Sequence, residues 1–409
     1  MRKIGVIVAA LAVGVMSMLA AVLPASAASA NGPVAGEAAL VPQVQGPPGK
    51  PPTSGKGTQI APDPSGYARC EDADVPLWTP YFEDRFHSCF LVHSGFDVVV
   101  KKDGVSVKVG SWTLLWIVTG SGSNGLQSMT FKVQSRVASV DGVPPKPTWE
   151  WSIGLACLNY FGATCSNTHA AGYTEDVAEW SVPQKLSFVF ITRKSPGYRP
   201  TMFYSAADKL NYHAMSQWQM FPGNLASKSW SNPVYFRGDA ANYVGGASYD
   251  AGSLYYQVIP TWDLSLSTKA KEVAQNIQQA ETNPGTGTYP PGPGGKKVRI
   301  PGFASTGEPL TRLNPSYEPV TYADNRKVSN AACVAKWGAG YSDGGKYECD
   351  EYPMAATFEG ASLAFGNPWW YTVKVVTGSA NSSASGYWNS FLKQNRVLSG
   401  DQFWVAIVS

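Results

Sequence analysis

Period-two alternation runs through much of the chain. Val105, Val107 and Val109 alternate with Ser106 and Lys108, and Met129, Phe131 and Val133 alternate with Thr130, Lys132 and Gln134. Leu186, Phe188 and Phe190 lie two apart in a third run. β-Branched and aromatic residues at this period predict half-buried strands. Asp103-Gly104, between two such runs, predicts a tight hairpin. Strands recurring with Gly and Asn turns imply an antiparallel sandwich or barrel-like domain over 66–265. Trp112, Trp116, Trp149 and Trp151 read as its core rather than as a sugar-stacking platform. The period then changes. Ala270, Val273, Ala274 and Ile277 fall at helical spacing, with Ser267 as a cap and Asn283-Pro284-Gly285 as a stop, which predicts a helix within 266–282. The Pro/Gly-rich stretch 283–295 reads as a linker to a second unit, 296–409. There Trp370 to Val376 reads as a strand, Ser385 to Asn395 as a short helix, and Phe403 to Val408 as a last strand after the turn at Ser399-Gly400-Asp401. The fold class expected is mainly β with some α: a β-rich N-terminal domain followed by a small α+β domain.

Composition adds a compartment. Arg2 and Lys3 precede an apolar run from Ile4 to Leu23, then Pro24 and the small residues Ala25-Ser26-Ala27. That order predicts a signal peptide over 1–27, with the chain secreted and not held in a membrane after cleavage. A Pro/Gly/Ala/Ser-rich tether is expected over 28–65. Six cysteines in an oxidising compartment predict disulfides, and nearest-neighbour pairing gives Cys70 with Cys89, Cys157 with Cys165 and Cys333 with Cys349. Zinc held by Cys157, Cys165 and His169 is the competing reading, although that spacing matches no common finger. A net charge of +3, with only 15% charged residues, gives no global field to collect nucleic acid. Chemistry on such a substrate must come from a local site.

The most unusual stretch is Glu348-Cys349-Asp350-Glu351-Tyr352-Pro353-Met354-Ala355, followed by Glu359-Gly360. Taken alone, this acidic cluster admits a solvated turn or a structural calcium site as well as a catalytic centre. Its residues resemble those of the extracellular deoxyribonucleases of the NucA/NucB family. The matches are Cys-Asp-Glu-Tyr-Pro at 349–353 and Glu359-Gly360, then Asn381, Gly386, Phe391, Asn395-Arg396, and Gly400-Asp401 with Phe403. Upstream, Pro309-Leu310-Thr311-Arg312, Asn325-Arg326 and Cys333 also resemble members of the family. The resemblance covers the second unit and not the β-rich one. It implies a ββα-metal core, His-Me finger-like, in which a general base activates water and a divalent cation stabilises the leaving group.

His87, His93, His169 and His213 all lie in the first unit, so no histidine can be the base. A carboxylate must serve, which agrees with what the resemblance implies for Asp350. Neighbours on a strand point to opposite faces, so Asp350 and Glu351 should not both face one pocket without a bulge. Asp350 is therefore assigned as base, and Glu351 as metal ligand or salt-bridge partner. Glu359, Asn381 and Asn389 are candidate metal ligands, and oxygen donors suit Mg²⁺ or Mn²⁺. Lys393 and Arg396, at the end of the expected helix, either grip phosphates or act as solvated helix-end charges. Residues 296–409 hold 11 Lys and Arg against 9 Asp and Glu, a balance of +2, modest for a DNA binder. No P-loop spacing and no Gly-x-Ser-x-Gly elbow is present. The expected function is a secreted, metal-dependent, non-specific endodeoxyribonuclease with DNA as its partner. The rival is a secreted β-rich binding or adhesion protein whose nuclease-like domain is inactive. A carbohydrate-active enzyme in the β-rich unit lacks any motif among Glu83, Asp84, Glu150 and Asp176.

Overall fold

The computed structural model describes residues 39–42, 70, 75, 77, 79–160, 163–193, 210–220, 228–244, 250–364 and 369–409. The expected signal peptide lies outside these residues, as does most of the expected tether. Within the tether, Ala39–Pro42 instead forms a strand, β1, paired antiparallel with β3 (His87–Lys102).

Alternation produces two antiparallel sheets. The first runs β1, β3, β4 (Val105–Ser121), β6 (Ser128–Gly142), β10 (Gln184–Arg193) and β8 (Thr164–Asn167), with β2 (Tyr81–Phe82) also on β3. The second runs β5 (Ser123–Asn124), β13 (Gly252–Leu254), β12 (Lys228–Asp239), β11 (Asn211–Met220), β7 (Glu150–Tyr160) and β9 (Tyr173–Asp176), and a short helix α1 (Val177–Trp180) follows β9. Inward side chains of both sheets share one core, as in a sandwich. Phe131 faces Phe188 across β6 and β10 in register, and both are buried. Trp112, Trp116 and Trp151 are buried edge to face at 5.6 and 5.8 Å, and Trp149 packs partly buried against them, so these rings serve as core. Asp103 and Gly104 have φ of 52° and 80°, the left-handed pair a tight hairpin requires. Val105 and Val107, expected to be half-buried, are exposed because the hairpin tip leaves both its faces uncovered.

The second domain starts earlier than expected. β14 (Thr261–Ser265) pairs parallel with β18 (Gln402–Val408), which also carries β15 (Leu310–Thr311) antiparallel. Helix α2 (Lys271–Thr282) buries Val273, Ala274, Ile277 and Ala280 in one core with Phe391, Phe403 and Val405. It starts at Lys271 rather than beside Ser267, because Ser265, Ser267 and Thr268 are engaged in a turn of their own. The expected linker 283–295 is part of this domain too. The Tyr289 carbonyl accepts from the Val373 N–H and the Thr372 hydroxyl, and the Pro290 carbonyl accepts from the Trp370 indole. Proline and glycine here shape a packed loop rather than a tether. Helix α3 (Pro319–Trp337), the antiparallel pair β16 (Tyr347–Tyr352) and β17 (Thr372–Thr377), and helix α4 (Gly378–Gln394) complete the unit. All three expected disulfides form. Among the described residues, no helix is long and apolar enough to cross a membrane.

Candidate active site

Three helices fix the acidic strand β16. On one of its faces, Cys349 is bonded to Cys333 of α3, and Glu351 accepts both 2.7 and 3.0 Å hydrogen bonds from Arg326 of the same helix. On the other face, Asp350 Oδ2 accepts a 2.8 Å hydrogen bond from Asn276 Nδ2 of α2, and Glu348 accepts one from Asn381 of α4. Strict alternation therefore holds, and β16 pairs with β17 in unbroken register from Tyr347 to Tyr352. Even so, Asp350 and Glu351 border the same cleft, without the bulge that was expected to be necessary. Among the described residues β16 pairs with β17 alone, so at its other edge side chains of both faces can border one cleft.

The cleft has a volume of about 450 Å³. Helix α4 lines it with Asn381, Ser385 and Asn389, spaced four apart on one face, and with Trp388 beside them. Arg326 and Arg312 border it from the side of α3 and of the loop after β15. Asp350 is 7% exposed, and burial followed by the charge of Glu351 pushes its pKa up to about 7, against opposing contributions from Asn276, Lys374 and Arg326. Burial also raises the pKa of Glu351, with Arg326 opposing it, while Glu351 raises that of Arg326. The pair is an ion pair with one half-open cationic end, since the Arg326 side chain is 36% exposed.

Several expected site residues lie elsewhere. Glu359 does not line the cleft. Its carboxylate accepts from the Thr311 backbone N–H at 2.8 Å, and burial raises its pKa, so it ties the loop after β16 to β15. Asn381 does reach the cleft, but from the first turns of α4 rather than from a loop. The helix begins at Gly378 because Thr377 caps it and Glu272 of α2 accepts from both the Thr377 N–H and its hydroxyl. Lys393 is exposed at the far end of α4 and is not part of the cleft, while its carbonyl accepts from Asn124 of the β-rich domain. Arg396 is fully buried against that domain. Its guanidinium donates to Asp239 of β12 at 2.5 and 3.0 Å and is thereby removed from any phosphate. Beside it, Asp401 is held between Arg85 and Arg237. Burial alone would raise the Asp401 pKa, but the two guanidiniums outweigh it and hold the carboxyl well below the usual carboxylate range. Asn395, Arg396 and Asp401 thus serve the contact between the two domains.

Sequence reasoning missed Asn276, Arg326, Ser385 and Trp262. Asn276 carried a signal: it is a polar residue on the stripe formed by Val273, Ile277 and Ala280. Arg326 was marked only as part of the Asn325-Arg326 resemblance, with no role attached, and Trp262 lies far along the chain from Asp350 with nothing local to mark it.

Metal-type ligands can be tested directly. Among the described residues, three or more ligand atoms from His, Cys, Asp and Glu gather within 4.8 Å of one another only at Cys157, Cys165 and His213. There the two sulfurs form a disulfide, and His169 stacks instead on Tyr173 at 4.9 Å, so the zinc set with His169 does not assemble. The cleft offers fewer carboxylates, with oxygen from Asp350, Glu351, Asn381, Ser385 and Asn389. Asp350 Oδ2 and Asn381 Nδ2 are engaged as described, which leaves their other oxygens as donors. One or two carboxylates with amide oxygen and water suit a cation that keeps much of its hydration, as Mg²⁺ does.

The second domain is therefore an α+β unit with a carboxylate-centred cleft between a two-stranded sheet and the helix that follows it. Its sequence over residues 308–406 matches the family model described as deoxyribonuclease NucA/NucB. This is the family that the Cys-Asp-Glu-Tyr-Pro resemblance indicated, and it makes the C-terminal region a nuclease-type domain with DNA as the implied substrate. The β-rich domain lies outside the match. Comparison with curated proteins and with solved structures found no match.

Proposed function

We propose that the chain is a secreted, metal-dependent, non-specific endodeoxyribonuclease, with its chemistry in the cleft around Asp350. The observation that carries this reading is a buried carboxylate whose pKa is pushed up to about 7 at the edge of an open cleft. A group poised near the working pH can both take a proton from water and release it again. Asn276 fixes one oxygen of Asp350 and leaves Oδ1 to receive that proton. Glu351 is assigned a positioning role: it holds Arg326, whose exposed end is placed to neutralise a phosphate at the cleft. Arg326 thus takes the task that Arg396 cannot perform.

A divalent cation, Mg²⁺ or Mn²⁺, would be held by Asn381, Ser385 and Asn389 with a Glu351 oxygen shared with Arg326, leaving Asp350 as the base, and when bound it would supply Lewis-acid stabilisation of the leaving oxygen. The strand pair β16–β17 followed directly by α4 would serve as the ββα-metal framework. Three disulfides, with the signal peptide expected from the sequence over 1–27, support an extracellular setting. The test is incubation of the purified mature chain with supercoiled plasmid. Nicking and linearisation are expected with Mg²⁺ or Mn²⁺ and should stop with EDTA. Intact plasmid under all metal conditions would refute the nuclease reading.

A further inference from the structure

The cleft also bears on which form of DNA is cut, an inference that rests on the nuclease reading above. We propose that the cleft takes a single unpaired nucleotide, so that single-stranded or locally opened DNA is cut in preference to intact duplex. Asp350 is only 7% exposed, so a phosphodiester must enter the cleft to meet it rather than lie across a flat surface. At about 450 Å³ the cleft falls in the range of roughly 300–1,000 Å³ typical of small-molecule pockets, far short of the girth of a double helix.

The wall facing Asp350 is divided in a way that matches one nucleotide. Asn381, Ser385 and Asn389 form a polar row along α4, and Ala384, Trp388 and Leu392 form an apolar row beside it, both with a spacing of four. Trp388 is half-buried and braced by Trp262 at 5.2 Å, Phe403 at 5.0 Å and Phe391 at 5.7 Å. A rigid indole at a cleft wall is a stacking surface for a base, tolerant of sequence because every base has a π face. Amide and hydroxyl groups in the next row suit sugar, phosphate and base edges. The domain's charge agrees. Residues 261–409 hold 13 Lys and Arg against 12 Asp and Glu, a balance of +1, which gives little of the broad phosphate attraction that duplex binders use. Duplex DNA would have to flip a nucleotide out and pay the cost of unpairing it, which a single strand avoids.

Matched oligonucleotides, single-stranded, duplex, and duplex with an unpaired bulge, distinguish the outcomes when cut by the full mature chain with Mg²⁺. The single strand and the bulge should be cut at least about tenfold faster than the duplex, with cuts mapping to the bulge. Trp388→Phe should narrow that gap, and thermal melting would verify that its fold is unchanged. Equal or faster cutting of the duplex overturns the proposal while leaving the nuclease reading intact. Fluorescence anisotropy in EDTA gives a readout independent of turnover. Strand-selective binding weakened by Trp388→Phe, without cleavage anywhere, would support the nucleotide cleft and refute hydrolysis. Neither cleavage nor selective binding would refute both.

Discussion

At the scale of the residue, Asp350 is a carboxylate kept in an environment that penalises its charge. Burial and the neighbouring Glu351 raise its pKa from 3.8 to about 7. The folded chain therefore holds this proton more tightly than the unfolded chain does, and stability falls as pH rises between about 4 and 7. Above that window the full penalty is present, on the order of 4 kcal/mol for a shift of this size. Asparagine keeps the shape of the side chain and cannot ionise. Asp350→Asn is thus expected to stabilise the metal-free protein by a few kcal/mol at pH 8 and by almost nothing at pH 4. Chemical denaturation in EDTA at the two pH values measures this, and an unchanged or lower stability at pH 8 would show that the carboxylate is not strained. Such strain is the signature of a group retained for chemistry rather than for packing.

At the scale of the element, the acidic strand was readable because its residues are local. Cys349, Asp350 and Glu351 adjoin in sequence, and the cysteine pairing with Cys333 follows from proximity in the chain. The alternating runs at Met129–Val133 and Leu186–Phe190 likewise became neighbouring strands of one core. What was not readable depends on partners distant in sequence. Helix α4 runs through Gly378-Ser379-Ala380-Asn381-Ser382-Ser383, which apart from Ala380 are poor helix formers and read as a loop. Its first turn is secured by Glu272, more than a hundred residues earlier, through the Thr377 cap. Stretch 283–295 has the composition of a linker, yet its carbonyls are acceptors for β17 and for Trp370. Composition gives the conformational freedom of a segment and not the partners that remove it.

At the scale of the whole molecule, the β-rich domain grips the segment after α4 through buried ions. Arg396 meets Asp239, and Asp401 meets Arg85 and Arg237, all at most 4% exposed. Gly252 is required there, since a Cβ would lie 2.1 Å from the Arg396 guanidinium nitrogen. Leu398 adds an apolar contact with Leu210 and Tyr212. Among the described residues none before Trp262 lines the cleft, so the described part of the β-rich domain braces the nuclease-type domain away from it. Helix-end charges such as Arg396 looked like phosphate ligands because the sequence does not reveal that another domain covers them. Asp239→Ala would strand a buried guanidinium, and a loss of roughly 3–5 kcal/mol is expected. Denaturation followed by tryptophan fluorescence would read this, and a loss below about 1 kcal/mol, as for an exposed pair, would show that the contact is peripheral.

The most direct measurement of the central claim is the cleavage rate of supercoiled plasmid by Asp350→Asn beside the unaltered chain, both with Mg²⁺. Loss of a general base predicts a rate about 10²- to 10⁴-fold lower in a protein that remains folded. A variant that cuts as fast as the unaltered chain would contradict the account.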